Sequence, residues 1–172
     1  SVSAMTVTAT DTIFYVATRG RAIPGGAANL GSVSLSIKLF RKVGKSQPGI
    51  DNSWQLVFVD SSSNSSQGVV TDPNSTRVAF VWTMYANSDP SYQTGHDVWY
   101  ADSPTGAAGT FTRHNLTNLT PESDIAPWIL AHSLFDSQGK LHIIFTAADV
   151  PSGGWNSIYS KIWHWSEHSP LI

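Results

Sequence analysis

Cysteine is absent from all 172 residues, which excludes a disulfide framework, a thiolate zinc site and any thiol chemistry. Charge is scarce as well. Asp, Glu, Lys and Arg together make 13% of the chain, against about 25% in an average soluble protein, and Ser, Thr, Gly and Asn fill the surface quota instead. The net charge of −2 and the scattering of Lys and Arg leave no basic patch to follow a phosphate backbone. No nucleic-acid partner is expected. The longest apolar runs are strand-sized, too short to span a bilayer, so no membrane insertion is expected either. No segment sustains apolar residues at i, i+3 and i+4, which leaves helices without a signal. The six histidines form no HExxH motif, and no Gly-rich turn leads from a strand into a helix. Neither a metal nor any other cofactor is expected.

What the sequence does contain is a grammar repeated three times: an Asp-containing turn, an apolar strand ending in a small polar residue, a long loop, then another strand. Asp11 precedes "IFYVATRG", Asp72 precedes "VAFVWTMYA" and Asp136 precedes "LHIIFTAAD". Thr18, Thr83 and Thr146 close the three runs, at intervals of roughly 60 residues. A repeat of this length built from strands alone predicts an all-β, β-propeller-like fold of about three four-stranded antiparallel blades. The blades are expected over about 1–60, 67–117 and 124–172 within a single unit. Alternation is clearest in "SVSLSIKLF", where Val33, Leu35, Ile37 and Leu39 share one face. Val78–Trp82 and Leu141–Phe145 read instead as central strands buried on both faces. The third copy stops where its fourth strand is due, and the chain begins at Ser1 without an initiator Met. Both ends read as cut. A further chain, or homo-oligomeric copies, are therefore expected to close the ring, because an open blade leaves an apolar face in water.

Residues 103–112, "SPTGAAGTFT", resemble a degenerate Asp-box, the Ser-x-Asp-x-Gly-x-Thr-Trp turn of sialidase-like (BNR-repeat) propellers, with Ser103, Gly109, Thr110 and Phe111 in matching roles. The place of the box Asp falls to Thr105 or Gly106. "DSQGKLHIIFT" is similar to the turn and second strand of sialidase-like and polysaccharide-lyase repeats. The resemblance implies a fold and not a chemistry, since the motif braces a turn opposite the active face. "RAIP" at Arg21–Pro24 echoes the arginine motif that opens sialidase domains, but it stands in a Gly-rich loop, and no catalytic residue is carried over.

Function is expected in the loops, which are long and rich in Gly and Pro: "RGRAIPGGAANLG", "ANSDPSYQTGH", "DSSSNSSQ", "NLTPESDIAP" and "ADVPSGGWN". Tyr92, His96, Trp155, Arg19 and Asp149 are the candidate ligand-binding residues, joining aromatic stacking surfaces to hydrogen-bonding tips. Trp163 and Trp165 lie on one strand face, with Ile162 and His164 on the other, so the Trp pair reads as filling between blades. Low charge and Asn-x-Ser/Thr tripeptides at Asn64, Asn74, Asn115 and Asn118 point to a secreted, extracellular glycoprotein. A lectin-like module that binds a glycan or polysaccharide is the leading expectation. The alternatives are part of a carbohydrate-active enzyme, glycoside hydrolase or polysaccharide lyase, and a structural or protein-interaction propeller. Glu122, Asp124 and Asp149 would be the first carboxylates to test for catalysis.

Overall fold

The structure is a computed structural model that describes residues 4–9, 11–20, 35–44, 53–62, 67–85, 96–119, 125–149 and 160–169. Eleven strands and no helix are found among them. The first sheet holds β1 (Met5–Val7), β2 (Thr12–Gly20), β3 (Leu35–Val43) and β4 (Gln55–Ser62). The second holds β5 (Gln67–Thr71), β6 (Val78–Tyr85), β7 (His96–Ser103) and β8 (Thr112–Asn115). The third holds β9 (Ile125–Phe135), β10 (Leu141–Asp149) and β11 (Ser160–Ser166). Every pairing is antiparallel between sequence neighbours, so each sheet is a simple meander.

The sheets stack face to face in chain order. Phe14, Val16, Ile37 and Leu39 of the first sheet bury against Val78, Phe80 and Trp82 of the second. Ala79, Val81 and Val98, on the opposite face of that second sheet, bury against Leu141, Ile143 and Phe145 of the third. The first strands lie side by side, β1 next to β5 and β5 next to β9. Consecutive sheets packed this way, with their first strands innermost, are propeller blades.

β6 is buried on both faces from Val78 to Trp82, as its continuous apolar run predicts. β10 is not. Its Ile144 is 41% exposed, because it points away from the second sheet, and no sheet among the described residues covers that side. The expectation of a two-sided strand is corrected here: apolar continuity marks a blade face, whether or not a neighbour covers it. In the single chain, Ile144→Ala should therefore cost about 1 kcal/mol or less, and Phe145→Ala about 2 to 5 kcal/mol. Urea denaturation of the two variants checks the contrast.

The turns opening the three sheets also differ in one respect. Asp72 accepts from the Asn74 amide at 2.9 Å and the Ser75 hydroxyl at 2.6 Å. Asp136 accepts from the amides of Gln138 and Lys140, at 2.8 and 2.9 Å. Their backbone amides close onto the carbonyls of Arg77 and Lys140. In the first sheet it is Thr8, not Asp11, whose amide closes onto Thr12 and whose hydroxyl accepts from the Thr12 amide at 3.0 Å. Asp11 instead takes the left-handed backbone conformation, φ 57°, which Asp tolerates better than most residues. The Asp spacing thus locates all three turns, and in the first a Thr8 hydroxyl does what an Asp carboxylate does in the other two.

Candidate functional site

Two ends of the stack are distinct. One carries the tight turns, at Thr8–Thr12, Asp72–Arg77, Ser103–Thr110 and Asp136–Lys140. The other holds the end of β2, the start of β7 and the end of β10. Arg19 is the penultimate residue of β2, Asp149 the last of β10 and His96 the first of β7, so their backbones stand at that end. Tyr92 and Trp155 lie outside the described residues, as do Glu122 and Asp124.

His96 was expected on a loop; it opens a strand and is buried. Its imidazole donates to the Pro127 carbonyl of β9, across the seam between the second and third sheets, and burial pushes its pKa below the ordinary value. Beside it Asp97 is fully buried and accepts from Asn115 Nδ2 at 2.9 Å, Thr117 Oγ1 at 2.8 Å and the Leu119 amide at 2.8 Å. Three donors satisfy the carboxylate and pin the segment after β8 to the rim.

Trp163 and Trp165 pack against the second sheet, and Ile162 and His164 face the other way, as the alternation predicts. At the turn end, Arg77 donates to Asp102 of its own sheet at 2.7 Å and to Glu167 beyond β11 at 2.6 Å. The Arg77 hydrogen bonds hold the Glu167 carboxyl below its usual range, with the Leu141 amide contributing. The turn at residues 103–110 is braced by the Ser103 hydroxyl, which accepts from the amides of Thr105 and Gly106 and pairs with Thr110. Thr105 Oγ1 accepts from the Ala107 amide at 3.3 Å, and Phe111 packs on Phe58 of the first sheet, centroids 5.5 Å apart.

One polar cluster lies in a seam and reaches solvent. Arg113 of β8 sets its guanidinium over the Trp99 indole, 3.9 Å from the centroid. Its Nε bonds Asp60 Oδ2 of β4 at 2.8 Å, and one Nη contacts Met84 Sδ at 3.6 Å. Among the described residues Nη1 takes no partner. Burial raises the Asp60 pKa, opposed by the Ser61 amide and by Arg113. The arrangement is a guanidinium fixed on three sides, by ring, carboxylate and thioether, with its outer edge in water. Such a fork donates paired hydrogen bonds in a fixed plane at little entropic cost. In the next seam, Leu116 and Trp163 pack against the apolar core. Sequence reading missed this cluster because Asp60 and Arg113 meet only through the register of two sheets; the aromatic "DVWYAD" strand was its one visible trace.

Among the described residues, no group of three or more His, Asp or Glu is arranged to hold a metal ion. Nor does any helix there have the length and apolarity to cross a membrane. No protein-family model and no curated protein matches the chain. Among solved structures, it is similar to a fucose lectin from Kordia zhangzhouensis in complex with methyl-fucoside. The sequence identity is 12%, 95% of this chain and 92% of that chain are covered, and the TM-score is 0.48.

Proposed function

We propose that the protein is a secreted glycan-binding module built on a propeller segment, and that Arg113 with Asp60 and Trp99 forms a sugar-recognition point in its first seam. The observation that carries this reading is the fixed, outward-facing guanidinium, flanked by an indole edge and a carboxylate. Neighbouring hydroxyls on a sugar ring need paired donors and a nearby acceptor, with an apolar surface for the ring's C–H face. The loops holding Tyr92 and Trp155, and the strand ends holding Arg19, His96 and Asp149, would form a second set of contacts at the rim. A kinship with Asp-box propellers is supported by the Ser103 turn, in which Thr105 stands where the box Asp would. Further sheets, from more chain or from other copies, would complete the ring.

The test is an array of immobilised glycans, fucosides included, followed by titration of the best hit. Arg113→Ala should weaken binding by about 10- to 100-fold, the worth of a charged hydrogen bond, while the melting temperature falls by only a few degrees. Arg113→Lys should recover little, because an ammonium lacks the fork. Unchanged binding in Arg113→Ala would remove this seam from the reading. Polysaccharide cleavage by the wild type would favour the carbohydrate-active enzyme instead.

A further inference from the structure

Register within the chain equates the outer face of the third sheet with a face that is buried one sheet earlier. In the second sheet Val81 pairs with Tyr100 and Thr83 with Val98; in the third, Ile144 pairs with His164 and Thr146 with Ile162. Val81 and Val98 are fully buried beneath the third sheet, whereas Ile144 and Ile162 face solvent, Ile162 at 78% exposure. Leu130 and Leu134 of β9 extend the same exposed face. At the opposite end of the stack, the first sheet exposes Met5, Val7, Leu56 and Val59, with Tyr15 set edge-on to Trp54.

We propose that the outer face of the third sheet docks onto the outer face of the first sheet of a second copy. The proposal rests on reading the stack as an open propeller segment, not on the glycan site. Both unpaired faces belong to the same chain and are of the same apolar kind as the two faces that meet in each internal seam. Two copies joined head to tail give six sheets, within the four to eight of closed propellers. The two seams so formed are identical, as a closed ring of two copies requires.

Sedimentation equilibrium on the chain should give twice the 18.6 kDa chain mass. Ile144→Asp and Val59→Asp should each yield monomer, with circular dichroism showing the strands intact. An equimolar mixture of the two variants should re-form pairs, because one seam then has both faces intact. A wild-type monomer, or a Val59→Asp dimer as tight as wild type, overturns the docking. Arg113 lies in an internal seam, so loss of glycan binding and loss of association are read separately.

Discussion

Phe80→Ala should lower the unfolding free energy by about 3 to 5 kcal/mol, the largest loss expected of a single core truncation here. Phe80 is fully buried. It stacks on Trp82 with centroids 5.0 Å apart and planes 17° apart, and it meets Phe58 of the first sheet edge-on at 6.1 Å. Phe58 in turn touches Trp82 and Phe111. Removing the ring therefore opens a cavity between two aromatic side chains, one from each sheet, and neither can fill it without leaving its other contacts. Urea denaturation with fluorescence detection measures the effect. A loss below about 1 kcal/mol would mean that the first seam is loosely packed.

Gly106→Ala should cost about 2 to 4 kcal/mol, from two sources that act together. Gly106 has φ 65°, where a Cβ is strained by about 1 kcal/mol or more. That Cβ would also stand 2.3 Å from Phe14 Cζ and 3.1 Å from Val78 Cγ2. Phe14 is buried in the first seam and has no room to yield. Gly109 supplies the control: its φ is 77°, and nothing lies within 4 Å of its would-be Cβ. Gly109→Ala should therefore show the conformational cost alone, about 1 kcal/mol. Equal losses at the two sites would show that the Ser103 turn does not press on the first sheet.

Strand existence was legible because period-two patterning survives wherever a sheet has one covered face. Ile37 and Leu39 point inward and Lys38 and Phe40 outward, as "SVSLSIKLF" implies. Turn positions were legible too, since Asp72 and Asp136 satisfy backbone amides that would otherwise be orphaned. Misreadings arose where the deciding contact lies in another sheet. Leu141–Phe145 looks as apolar as Val78–Trp82, and only the stacking order separates them. The same holds for the site. Arg113 reads from its neighbours as one more exposed strand residue, and the ring, carboxylate and thioether that hold it come from β7, β4 and β6. His96, assigned to a loop by its flanking Gly and Thr, is drawn into β7 by its pairing with Tyr85 and by the Pro127 carbonyl.

The meander order within each sheet also bears on how the chain acquires its structure during synthesis. Every hydrogen-bonded strand pair joins sequence neighbours, so no sheet waits for residues still inside the ribosome once its own stretch has emerged. Local pairing of this kind forms early, and the slower step is the docking of one finished sheet on the next. The second sheet, gripped on both faces, is then the element whose amides should be the last to exchange with deuterated solvent. The outward-facing strands of the first and third sheets should exchange first.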